Sequence, residues 1–216
     1  MGRGGGRHKG GKQRDRQREQ RPSFHVFCEG QNTEPLYFKQ FPISNIGHCK
    51  GYAETKMKLV SRAIKYKGKN RINQKSKDQV WVVFDYDYDG ELQPKQKEEY
   101  NNAIIKAEKN NINWAVSNDS FELWYVLHFQ QCEAQELRAW YNQRLGTYIG
   151  EPYDKNRNIA KKMYDLLLPH QEIAIERAGE LRERYDDSDH AYADKNPFTT
   201  VHELVLELNK YKKTIS

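Results

Sequence analysis

The sequence has no long apolar run, no cysteine framework and no charge excess in its body. No stretch approaches the ~20 apolar residues a bilayer span needs. With 31% charged and 37% apolar residues the chain reads as soluble. Its basic N-terminus is not followed by an apolar segment, so no secretory signal is expected. The three cysteines, Cys28, Cys49 and Cys132, are odd in number and far apart. They form neither a zinc spacing nor a disulfide set, which points to a reducing cytoplasm. There is no internal repeat and no separate nucleotide-binding motif.

The net charge of +6 has one source. Residues 1–21 hold eight basic and two acidic side chains, and the rest balances at 28 of each sign. Residues 1–22 are therefore expected to be a disordered, basic Gly/Arg-rich tail. Arg14, Arg16, Arg18 and Arg21 are its candidates for contacting nucleic-acid phosphates without reading sequence. The alternative is a solubilising leader.

What is present centres on Val80–Gly90. Five apolar residues, Val80 to Phe84, three of them valines, predict a buried strand. Asp85, Asp87 and Asp89 follow at alternate positions. If the strand continues, Asp85 and Asp87 share a side, because side chains repeat every two residues. Two such carboxylates repel unless a cation lies between them, and a hard divalent ion is the natural partner. The alternative is a solvated acidic turn.

Residues 23–28 predict a first strand, closed by Glu29-Gly30. A helix capped by Asn32 or Thr33 then follows, with Pro35 in its first turn and Pro42 at its end. A loop leads to a basic helix over about 54–66 and a lysine-rich surface loop over 65–77. A helix over about 93–110 offers Tyr100, Ile104, Ile105 and Ala107 to the core, and residues 113–117 predict another strand. Asn118, Asp119 or Ser120 can cap the apolar helix that follows, in which Glu122 lies in the first turn and His128 reads as a core histidine. Beyond residue 133 strand signals stop, and four helices are expected.

The rhythm argues for an α/β fold, a parallel sheet flanked by helices. The expected organisation is an α/β domain over 23–132 with a helical C-terminal extension over 133–216 packed on it. Ligands in such sheets gather beyond the carboxyl ends of the strands. Glu29, the Asp85/Asp87 pair and Ser117-Asn118 all fall there.

Glu29-Gly30 after a first strand and Asp85-x-Asp87 after a later one resemble the motif set of the Toprim fold. More closely, the segments 28–38, 83–87, 117–129 and 196–201, taken in order, resemble the blocks of RloB-like proteins. The likeness spans about residues 23–210. The sequence differs from that pattern at Asp119 and Ser120, where proline and a small residue are expected. The resemblance implies a Toprim-like domain associated with restriction or abortive-infection loci, sometimes beside an ATPase partner. It also implies Glu29 as general acid/base, and Mg²⁺ (or Mn²⁺) held by Asp85 and Asp87, with Glu122 and Asp89 as supplements.

The chemistry that follows is phosphodiester hydrolysis of DNA or RNA in anti-phage defence, with the metal neutralising charge and activating water. One rival is a non-catalytic subunit that binds nucleic acid or an ATPase. A primase-like nucleotidyl transferase is another. The nuclease assignment requires Glu29, Asp85 and Asp87 to lie close enough to share a cation, with none of them tied to a buried lysine or arginine.

Overall fold

The structure, a computed structural model, describes residue 1 and residues 21–73, 75–87, 93–185 and 190–212. Arg14, Arg16, Arg18 and most of the expected tail lie outside the described residues, as does Asp89. Among the described residues, five strands form one sheet: β1 (Phe24–Cys28), β2 (Ile46–Gly51), β3 (Gln79–Asp85), β4 (Asn113–Asn118) and β5 (Phe198–Thr199). Their order is β2-β1-β3-β4-β5. The first four strands are parallel, and β5 runs antiparallel to β4. The class is α/β, a mostly parallel sheet flanked by helices, consistent with a Toprim-like fold.

Helices cover both faces of the sheet, as a parallel sheet requires. Phe24, Val26, Cys28, Trp81, Val83 and Ala115 pack on one side. There they meet α1 (Thr33–Phe38), α4 (Glu122–Leu127), α5 (Arg138–Ile149), α6 (Arg157–Leu167), α7 (Gln171–Glu183) and α8 (Val201–Asn209). Phe27, Val80, Val82, Phe84 and Val116 point the other way, against α2 (Lys56–Lys69) and α3 (Pro94–Lys109). The alternation follows the pleat, and burial of both faces is why β3 reads as an unbroken apolar run.

Several local expectations are corrected. The segment expected as a loop before α2 contains β2, an edge strand in which only Cys49 is buried, so it carries no apolar signature. The C-terminal part contributes β5, two residues long and legible only through its pairing with β4. The helix α1 ends at Phe38, short of Pro42, and α2 runs on to Lys69. On α3 the inward position falls to Ala103, and Ile105 is half-buried. Neither α1 nor α4 has a side-chain cap; Asp119 instead accepts the backbone N–H of Arg138 at 2.9 Å, at the start of α5. His128 is a core residue whose Nδ1 lies 2.9 Å from the Trp124 carbonyl, and burial lowers its pKa to about 3.

Candidate acid site at the carboxyl edge

Strands β1 and β3 are neighbours, but the chain leaves them in opposite directions, toward β2 and toward β4. The crevice between their carboxyl ends is the topological switch point, where connecting segments diverge and leave room for a ligand. Glu29 follows β1 directly, and its N–H bonds the Val83 carbonyl at 2.8 Å. Asp85 ends β3. Tyr86 N–H reaches the Ser117 carbonyl at 2.9 Å, and Asp87 N–H the Asp119 carbonyl at 3.1 Å. The rim is thus pinned by its backbone on both sides.

Strand periodicity is not what brings Asp87 to this rim. The strand has already ended, and Asp87 has φ 60°, a left-handed conformation that aspartate tolerates better than most residues. The outcome is still convergence. Glu29 Oε2 accepts the Asp85 N–H at 3.4 Å, and Lys56 Nζ lies 3.1 Å from Glu29 Oε1 and 3.3 Å from Asp87 Oδ2.

That lysine overturns the condition that no buried lysine or arginine engages the three acids. A metal-dependent reading therefore has to rest on Asp85, which Arg138 reaches only at 3.9 Å. Lys56, the first residue of α2, is 6% exposed and ties up two of the three acids. Arg138, the first residue of α5, pairs through Nη2 with Asp87 Oδ1 and lies 3.9 Å from Asp85 Oδ2. Glu29 and Asp87 therefore share a cation supplied by the chain itself.

Two further carboxylates belong to the neighbourhood. Glu122 is wholly buried, and its Oε1 accepts from Tyr153 Oη at 3.0 Å and pairs with Lys155 Nζ at 3.1 Å. Glu34, also buried, accepts the Gly30 N–H at 3.3 Å. A Cβ at position 30 would sit 2.2 Å from Glu34 Oε2, so Gly30 serves to admit that carboxylate. A cavity of about 210 Å³ opens here, lined by Glu29, Glu34, Asp85, Asp87, Arg138 and Lys155 with residues 30–33.

Among the described residues, five carboxylates face three cations in this neighbourhood, and the imbalance shows in their protonation. Burial, reinforced by Asp87, Glu34 and Glu122, pushes Asp85 well above the ordinary carboxylate range. Burial and the neighbouring Glu122 and Glu29 carry Glu34 up to about 7, against the pull of Lys155. Burial also raises Glu29, although Lys56 opposes it. Asp87 goes the other way, since Lys56 and Arg138 outweigh its burial and hold it below the usual value.

A divalent cation suits this donor set in chemistry. All the donors are hard oxygens, and Asp85 Oδ1 and Glu122 Oε2 are buried without a hydrogen-bond partner. Among the described residues, however, no three His, Cys, Asp or Glu side chains already stand together to hold a metal ion. Lys56 and Arg138 keep Glu29 and Asp87 engaged.

Sequence reasoning placed Glu29, Asp85 and Asp87 at this edge, and Glu122 approaches it through Lys155. It missed Glu34, Lys56, Arg138 and Lys155. A signal existed for Lys56 and Arg138, because a cation on the first residue of a helix opposes the helix dipole unless acids face it. Arg21 lies before the amino end of β1, away from the rim, with its carbonyl accepting from Asn45 Nδ2 at 3.3 Å.

Fold and rim together define an α/β protein with a carboxylate cluster at a sheet switch point. The sequence matches the RloB-like protein family over residues 24–208, and the chain belongs to that family. Comparisons with curated proteins and with solved structures gave no match. No helix among the described residues is long and apolar enough to cross a membrane.

Proposed function

We propose that the protein is a Mg²⁺- or Mn²⁺-dependent nuclease of anti-phage defence that hydrolyses nucleic-acid phosphodiesters at this rim. The observation that carries this is Asp85, a buried carboxylate that lines the cavity and keeps Oδ1 without a partner amid an excess of negative charge. Asp85, with Glu122, would hold the ion, and Asp87 would join them on giving up Lys56 or Arg138. A bound ion of this kind supplies charge neutralisation at the phosphate and a more acidic water.

The chain's own groups do the rest. Glu29, raised by burial and moderated by Lys56, is suited to take and return a proton at its carboxylate. Arg138 and Lys155 line the cavity and offer N–H donors to the non-bridging oxygens of a phosphate. The basic residues of the N-terminal segment add sequence-independent attraction to the polyanion.

A second reading has its own observation. The pairing of Glu29 and Asp87 with Lys56 is what a non-catalytic subunit would use to hold acids for structure alone. One experiment separates the two. Purified wild type and Asp85→Asn are titrated with Mn²⁺ and incubated with labelled DNA and RNA in Mg²⁺ or Mn²⁺. The nuclease assignment expects Mn²⁺ binding and cleavage by wild type, with both lowered at least ~100-fold in the variant, as for loss of a metal ligand and its share of transition-state stabilisation. Wild type that binds no Mn²⁺ and cuts neither substrate leaves the accessory role standing.

A further inference from the structure

We propose that the outer face of α2, with the aromatic edge of β2 beside it, is a binding surface for single-stranded nucleic acid that leads into the acid rim. The inference rests on the reading above for the class of substrate, and adds the path that substrate takes across the molecule. Charge, aromatic content and position carry it.

Outside residues 1–21 the basic and acidic side chains balance in number, but not in placement. From residue 55 to residue 77 there are nine lysines and arginines and no aspartate or glutamate. Helix α2 holds six of the nine. Lys56 turns inward to the rim, and Leu59, Val60 and Ala63 are buried against the sheet. Lys58, Arg62, Lys65 and Lys69 are exposed, and their spacing of four, three and four residues sets them on one face. The stripe is about 17 Å long at 1.5 Å per residue, with neighbours about 5–6 Å apart. Like charges at that spacing destabilise a helix. The helix dipole accounts for the cations of the last turn, Lys67 and Lys69, but not for Lys58 or Arg62. A phosphate backbone laid along the stripe answers all four.

The aromatic edge decides which polyanion fits. His48, Tyr52 and Tyr66 are half-buried, so each keeps part of its surface in water. The Arg62 guanidinium lies 4.4 Å from the Tyr52 ring centre, and Tyr52 stacks on Phe27 at 5.7 Å. The His48 ring is 6.0 Å from Tyr52 and 5.4 Å from Tyr66. Rings and a guanidinium plane beside a row of cations let unpaired bases stack while their phosphates are neutralised. A duplex keeps its base faces to itself. A lipid surface needs an apolar helix face, and that of α2 is already covered by the sheet.

Position ties the surface to the rim. Tyr52 N–H bonds the Cys28 carbonyl at 3.0 Å, and Ala53 N–H the Glu29 carbonyl at 2.9 Å. The aromatic edge therefore ends against the residue that closes β1. Lys56 then starts α2 with its ammonium 3.1 Å from Glu29. The stripe begins two residues further on, at Lys58, and runs back toward the amino end of β3.

The test measures binding in EDTA, where no divalent ion is present and nothing is cut. Four full-length proteins are compared: wild type, Lys58→Gln/Lys65→Gln/Lys69→Gln, Tyr52→Leu, and a control with three cations of α6 neutralised, Arg157→Gln/Lys161→Gln/Lys162→Gln. Each is titrated into fluorescent oligo(dT), oligo(rU) and a duplex of the same length over a range of salt, after circular dichroism confirms folding. Wild type is expected to prefer the single strands. The α2 variant should bind them about tenfold more weakly or worse, with a salt slope lower by about 2, at ~0.7 per lost phosphate contact. Tyr52→Leu should lose about fivefold or more on single strands and nothing on duplex. The α6 control should stay within about twofold of wild type. An α2 variant no weaker than the α6 control overturns the inference, as does a wild type that binds no oligonucleotide or takes up phosphatidylserine vesicles in their place. A preference for duplex overturns it too, and that comparison still decides should Tyr52→Leu fail to fold. Binding on α2 without cleavage in Mg²⁺ or Mn²⁺ keeps this surface and removes only the nuclease, whereas cleavage that the α2 variant retains in full removes only the surface.

Discussion

The carboxylate rim divides into two halves that the same chemistry treats in opposite ways. Glu29 and Asp87 face Lys56 and Arg138, and Asp87 stays ionised below its ordinary pKa. Asp85, Glu34 and Glu122 lie deeper, where Lys155 pairs with Glu122 and Arg138 reaches Asp85 only at 3.9 Å, and Asp85 and Glu34 hold their protons into a higher range. Asp85 and Asp87 are two residues apart, yet their environments push them in opposite directions. Depth and partner, rather than residue type, decide which carboxylate is structural and which is available.

The largest expected effect tests the deeper half. The folded-state pKa of Glu34, about 7, lies above its ordinary 4.5. Folding therefore takes up a proton between these values, and the stability this contributes is full below about 4.5 and lost as pH rises through 7. Over that window the loss is about 3 kcal/mol, from 1.36 kcal/mol per pK unit. Urea unfolding at several pH values should show wild type losing that much more than Glu34→Gln. Parallel pH curves for the two proteins would mean that Glu34 is not part of the surplus.

A smaller effect carries more information because its sign flips within two residues. Asp85→Asn replaces a buried carboxyl, whose charged form burial and neighbouring acids disfavour, and should raise stability by on the order of 1 kcal/mol wherever that carboxyl would ionise. Asp87→Asn strips Lys56 and Arg138 of a shared partner and should lower it by about 2 kcal/mol. That is less than a fully buried pair costs, since the Asp87 side chain is 37% exposed. Thermal unfolding of the two variants without metal reads the contrast directly. Shifts of the same sign would erase the distinction between the halves.

How much of this was legible in the sequence depends on which force placed each residue. The buried strand β3, the end of β1 at Glu29 and the helix after Asn118 announce themselves by apolar runs and turn residues, which are local signals. Edge strand β2 has a single buried side chain, and β5 exists only by pairing with β4 across about 80 residues of chain, so neither leaves a local trace. At the site, Glu29, Asp85 and Asp87 could be located because each ends or follows a strand. Lys56 and Arg138 arrive from helix starts far along the chain, and only the fold shows which acids they meet. Asp87 came to the right place for a different reason than expected, a left-handed turn and not the strand repeat.

The weakest expected effect compares the two ends of β1. Arg21 is exposed, precedes the strand, and lies beyond the far end of β1 from Glu29, a strand whose five residues alone span about 16 Å at 3.3 Å per residue. At that range and in water its charge is largely screened from the rim. Arg21→Ala should leave Mn²⁺ affinity within about twofold and stability within about 0.5 kcal/mol. If the basic segment tracks nucleic acid, the same variant should weaken oligonucleotide binding equally for all sequences and lower its salt dependence by about one phosphate contact. A tenfold change in Mn²⁺ affinity would instead couple the amino end of the sheet to its carboxyl rim. The division between an end that attracts the polyanion and an end that holds the cation would then have to be abandoned.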